Sequence, residues 1–301
     1  MKAFDIYKKT MKFVWLKLAL GGALFGGALL LGGLFLLIAS LAKNEILSII
    51  LLLVWIFGII ALDNVITHYF GYLIKAGHVA IVSEAVTTGQ IPDNQYEVAV
   101  SMVKSRFAES SVYFVVDKLV SGAVKELQKG VGKVGDALDA IPGMSAITNF
   151  IQIFIGIVLG YIDECCLGYT FYKKDQNAFK SACDGITIYW KNKKKLLKDA
   201  AIMALVVMGI TAVLFIIPVI ILVPLALITD NVIIITCALI GSAVIAGILK
   251  SAFVDSWMMV KMMTSYMEEA PTTAVDNGLY DTLCKLSGKF KQLFNKSQQT
   301  A

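Results

Sequence analysis

Residues 18–42 and 200–228 contain no charged side chain, and that decides the solvent in which this chain folds. A helix rises about 1.5 Å per residue, so about 20 apolar residues cross the ~30 Å hydrocarbon layer of a bilayer. These runs hold 25 and 29. Two more, 46–62 and 232–249, hold 17 and 18, and each continues beyond one charged residue. The pattern predicts an all-α, polytopic helical membrane protein whose first partner is the lipid bilayer. A chain with 57% hydrophobic and 16% charged residues is too apolar for a soluble domain of this size. Its net charge of +5 does not point to nucleic acid, because the lysines gather beside the apolar runs. Lys2, Lys8, Lys9, Lys12 and Lys17 precede the first run, as in a secretory signal. Its 25 residues exceed a signal core of about 7–15, and no small-residue cleavage site follows, so a retained helix is expected.

Short polar turns at 41–47 and 227–233 each join two apolar runs into a transmembrane hairpin. Lysine sets the orientation. The first 17 residues carry five lysines and one aspartate, and residues 173–199 carry eight lysines and three aspartates. The tail adds Lys285, Lys289, Lys291 and Lys296. All three segments are expected in the cytoplasm, and both termini with them. A fifth apolar stretch, 147–172, is interrupted by Asp163 and Glu164. If it spanned, the eight-lysine loop would lie outside, so a re-entrant or in-plane helix is expected, with a fifth crossing as the alternative.

Between the hairpins, Val116, Val120, Val124, Leu127, Val131, Val134 and Leu138 follow steps of three and four. That makes one helical stripe suited to the membrane surface or to pairing in a bundle, and Gly122, Gly130, Gly132 and Gly135 favour the surface over a rigid coiled coil. The chain thus divides into a first hairpin (1–66), a cytoplasmic amphipathic region (67–146) and a re-entrant or fifth helix with its basic loop (147–199). A second hairpin (200–260) and a cytoplasmic tail (261–301) follow. Gly22-xxx-Gly26, Ala28-xxx-Gly32 and Ala238-xxx-Ser242-xxx-Ala246 offer close helix approach within the chain or between subunits. Pro218 and Pro224 remove hydrogen bonds inside the third spanning helix and are expected to kink it, as a hinge.

No enzymatic motif appears, and neither a cofactor nor a metal is expected. His68 and His78 stand ten residues apart, too far for metal ligation from one helical face. The five cysteines (Cys165, Cys166, Cys183, Cys237, Cys284) are odd in number and include no CxxC pair, so reduced thiols are expected. What remains are acids where charge is costly, at about 2.5–3.5 kcal/mol on insertion scales at the bilayer centre. These are Asp63, Asp163, Glu164 and Asp255, with Tyr161, Tyr169 and Trp257 close by in sequence. Acids beside aromatic rings suit an organic cation.

Tyr161-Ile-Asp163, Asn177-Ala-Phe-Lys180, Phe253-Val-Asp255, Tyr266-Met-Glu-Glu269 and the lysine-rich tail from Lys289 to Lys296 follow one another in an order that resembles the closing portion of the choline transporter-like family. The resemblance covers residues 145–300. It implies membrane transport of an organic cation, with Asp163 and Asp255 as the positions to test. Members of that family are longer, with more spanning helices and a large extracellular loop that this chain lacks. The two hairpins also each run on into an aromatic, charged extension (70–85 and 253–270), the form of a parallel repeat. The expected function is a small-solute or ion transporter or channel working as a homo-oligomer. The alternative is a non-transporting scaffold that shapes membranes through its amphipathic helix.

Overall fold

The computed structural model describes residues 1–42, 44–66, 70–107, 110–127, 145–228 and 232–299, and among these every regular element is a helix. In chain order they are α1 (Ala3–Lys9), α2 (Met11–Ala42), α3 (Glu45–Ile66), α4 (Tyr72–Thr88), α5 (Gln95–Phe107) and α6 (Ser110–Leu127). Then come α7 (Ser145–Tyr172), α8 (Ala178–Lys191), α9 (Lys193–Leu227) and α10 (Val232–Leu249). A π-helical turn (Lys250–Val254) leads into α11 (Asp255–Glu269), and a 3₁₀ turn (Ala270–Thr272) precedes α12 (Asn277–Leu286) and α13 (Gly288–Gln299). Five segments are long and apolar enough to cross a membrane: Met11–Phe35, Ile46–Ile66, Ile153–Tyr172, Lys193–Leu227 and Ile235–Thr272.

The chain divides into two compact units. One comprises Lys12–Lys75 and Thr211–Phe253, the segments that carry both predicted hairpins. Here Asn44 caps α3, its Oδ1 accepting from the Leu47 amide at 3.1 Å. Trp55 on α3 donates through Nε1 to the Ala28 carbonyl on α2 at 3.0 Å. Gly32 makes room for that indole, since a Cβ there would lie 2.9 Å from the ring. Gly21 does the same for Ile248 of α10. A Cβ on Gly22 or Gly26 would meet nothing within 4 Å among the described residues. Close approach therefore uses Gly21 and Gly32, of which the small-residue spacing named only Gly32. α9 runs as helix through both prolines, Pro218 buried and Pro224 exposed.

The other unit comprises Met1–Met11, Ala76–Ile210 and Val254–Ala301. α7 is its central helix, packed against α6, α8 and α11. It runs unbroken for 28 residues. Within the most apolar stretch of α7, 61% of residues are buried inside the protein, against 6%, 0%, 11% and 22% for the other four candidate spans. α11 buries Met258, Met259, Met262, Met263 and Tyr266, a face of flexible thioethers that fills the irregular surface of a helix rich in small residues. α4 ends at Gly89, whose φ of +72° gives the left-handed residue that closes a helix. The stripe of α6 faces inward, with Val116, Val120 and Val124 fully buried, as are Phe290 and Leu293 of the neighbouring α13. Its continuation at Val131, Val134 and Leu138 lies outside the described residues, as do His68 and the second hairpin's turn at 229–231.

Candidate functional site

Among the residues singled out by sequence, Tyr161 and Asp255 meet directly. The Tyr161 hydroxyl on α7 donates to Asp255 Oδ1 at 2.8 Å. Asp255 is the first residue of α11, immediately after the π turn, in a helix that continues from α10 without a break. π turns within helices are frequent at functional sites. Tyr161 and Asp163 are buried while Glu164 is half-buried, so the adjacent acids sit on faces of different exposure. Trp257 packs edge-on to Phe4 and Tyr7 of α1, with centroids 5.8 and 5.6 Å away. Tyr169 belongs to the core, against Tyr172 and Tyr266 at 5.5 and 6.4 Å. The Asp63 side chain lies outside the described residues.

A second polar cluster was not anticipated. Arg106, the one arginine among 27 basic residues, reaches from α5 to the loop between α7 and α8. Its guanidinium donates to the carbonyls of Gln176 (2.5 Å) and Lys173 (2.9 Å) and to Ser181 Oγ (2.5 Å). Ser181 Oγ in turn donates to the Lys173 carbonyl at 2.8 Å. Burial pulls the guanidinium down to about 10, and the nearby Asp175 carboxylate pushes it back up. It stays charged at neutral pH. One signal was legible: a lone arginine in a chain that otherwise uses lysine marks a need for a planar fork of donors.

The C-terminal helices attach to α8 through polar groups as well. Asn177 caps α8, accepting from the Lys180 amide at 2.8 Å, while its Nδ2 donates to the Ser297 carbonyl at 3.0 Å. Asp184 is buried and receives Gln176 Nε2 at 2.6 Å, Lys180 Nζ at 3.3 Å and the Tyr280 hydroxyl. Burial and the hydrogen bond to Asp184 both push the Tyr280 phenol up. Glu126 on α6 accepts from Ser287 Oγ (2.8 Å) and the Lys289 amide (3.0 Å), fixing the start of α13. The Asn177-Ala-Phe segment and the lysine-rich tail thus meet as parts of one docking contact.

Burial raises the Cys183 thiol well above its ordinary value, and a protonated thiol is a poor nucleophile. His78, fully buried, places Nε2 3.2 Å from Thr10 Oγ1, and Gln95 Nε2 donates to the Lys9 carbonyl at 2.9 Å, so both fasten the N-terminal segment. Among the described residues no group of three or more His, Cys, Asp or Glu side chains is placed to hold a metal ion. No known family, curated protein or solved structure matches this chain.

Proposed function

We propose that this chain is an integral membrane protein that moves a small solute or ion across the bilayer, with Asp255 and its partner Tyr161 at the route. The observation that carries the reading is the hydrogen bond from Tyr161 to a carboxylate placed directly after a π turn that closes an apolar helix. A carboxylate held by a phenol presents negative charge in a fixed position, which is what a cation leaving the membrane would meet. The resemblance to the choline transporter-like family favours an organic cation. The inward-facing stripe of α6 weighs against the scaffold reading, because a shallowly inserted helix needs that face free for lipid.

In this reading the four helices of the hairpins cross the bilayer and α7 does not. A helix apolar on most of its surface is stable either in lipid or inside protein, and α7 is covered mostly by protein. The basic segments and both termini then share the cytoplasmic side, as lysine asymmetry prefers. Cysteines placed at Lys104, before α7, and at Lys174, after it, will react with a membrane-impermeant maleimide from the same side of the bilayer. Labelling from opposite sides makes α7 a crossing helix.

Purified protein in vesicles loaded with potassium, choline and a larger dye will release a subset of these solutes. Asp255→Asn weakens a charge-assisted hydrogen bond of roughly 1.5–3 kcal/mol and is expected to slow release at least tenfold. Tyr161→Phe removes the same bond altogether while keeping the charge, and is expected to slow release to a similar degree. Wild-type release in both variants at equal protein insertion sinks the assignment of these residues. No release from inserted wild-type protein moves the function to the scaffold class.

A further inference from the structure

The lysines at the start of α9 fall into two groups. On one side Lys191, at the end of α8, pairs with Asp276 at 3.0 Å, and Lys195 pairs with Glu269 at 2.5 Å and Glu268 at 3.7 Å. Asp199 accepts from Ser265 Oγ at 2.6 Å. These lysines are paired with acids of the same chain at its surface. On the other side Lys194 and Lys198 are exposed and make no hydrogen bond or ion pair among the described residues. They stand four residues apart, so they share one helical face.

That face continues along α9 as Ile202, Leu205 and Val206, which are 48%, 57% and 42% exposed. The opposite face, with Leu196, Ala200, Ala204 and Val207, is buried. In a helix that enters the bilayer, the exposed apolar face is the lipid-facing one. Lys194 and Lys198 therefore top the lipid-facing face, one to two turns from its first apolar residues, at the depth of phosphate headgroups. Beside them Lys193 sits 3.5 Å from the ring centroid of Trp190, a cation and an indole at the level where tryptophan is favoured.

We propose that Lys194 and Lys198, flanked by Lys193 and Trp190, seat the headgroup of an anionic phospholipid whose acyl chains lie along Ile202 and Leu205. Lysines that merely orient the chain during insertion need no particular face. These share the face that lipid covers, while their neighbours Lys191 and Lys195 are neutralised by acids. The inference rests on α9 entering the bilayer, and quenching of a fluorophore placed at Leu205 by bromine-labelled lipid acyl chains checks that separately before lipid selectivity is measured.

The test uses the full chain reconstituted in phosphatidylcholine containing phosphatidylglycerol, then transferred to native mass spectrometry to compare retained lipids. Wild-type protein is expected to retain phosphatidylglycerol in preference to phosphatidylcholine, and high salt is expected to reduce that preference. Each juxtamembrane lysine is worth about fivefold toward an anionic surface, so Lys194→Gln with Lys198→Gln lowers the preference by on the order of tenfold or more. Lys285→Gln with Lys291→Gln removes the same charge elsewhere and is expected to leave the preference intact. Equal retention of both lipids by wild-type protein overturns the proposal. So does an unchanged preference in the first double variant, or an equal loss in the second.

Discussion

Replacing Arg106 by alanine is expected to cost about 3 kcal/mol of stability, lowering the thermal midpoint of the detergent-solubilised chain by roughly 6–12 °C. The guanidinium reaches two backbone carbonyls, Lys173 and Gln176, together with Ser181 Oγ. The Lys173 carbonyl follows the last turn of α7, where unsatisfied acceptors and the negative end of the helix dipole gather. Alanine removes the donors and leaves the acceptors partly buried, so the loss includes their desolvation as well as the missing bonds.

Arg106→Lys separates charge from geometry. An ammonium keeps the charge with a shorter reach but cannot span three acceptors held by a planar fork. We expect it to recover less than half of the loss. Full recovery would mean that charge near the end of α7 suffices and the fork is incidental. Proteolysis within 173–177 provides a second readout, since that loop should be cut faster in both variants while cleavage elsewhere is unchanged.

The apolar runs were legible because lipid imposes a simple rule on sequence, the removal of charge over about 20 residues. α2, α3, α9 and α10 follow it. α7 was ambiguous for a physical reason: lipid and a protein interior ask for the same apolar surface, and Asp163 with Glu164 breaks the run in either setting. What covers a helix is a tertiary fact. The stripe of α6 shows the same limit, since its spacing located the buried face while its cover, Phe290 and Leu293 of α13, lies far along the chain. Polar docking was least legible. Asn177 and Tyr280 join elements about 100 residues apart or more, and no local periodicity marks such pairs. Lys180 and Asp184 are the exception, because their spacing of four already places them side by side on a helix.

Gly185 and Gly168, both helical glycines in the same unit, should respond differently to alanine. At Gly185 on α8 a Cβ would lie 2.9 Å from the carbonyl oxygen of Cys166 and 3.3 Å from its Cα. Those are backbone atoms of α7, and they yield only if the two helices separate. Separation also disturbs the bond from the Tyr266 hydroxyl to the Gly185 carbonyl, 2.9 Å long and buried. Overpacking of this kind costs typically 1–3 kcal/mol and more for larger groups, while alanine regains about 1 kcal/mol of helix propensity. Gly185→Ala should therefore lose up to about 2 kcal/mol, and Gly185→Val more, since valine adds two further methyl groups against the same backbone. At Gly168 the nearest atom to a Cβ is the Met263 methyl at 2.5 Å, the far end of a side chain with three rotatable bonds. The methyl swings aside, the propensity gain offsets the repacking, and Gly168→Ala should stay within about 1 kcal/mol of wild type. Thermal midpoints of the three variants, compared in one detergent, decide the matter. Equal losses at the two glycines would show that α7 and α8 are free to adjust, and the close approach at Cys166 would then carry no weight in holding the bundle together.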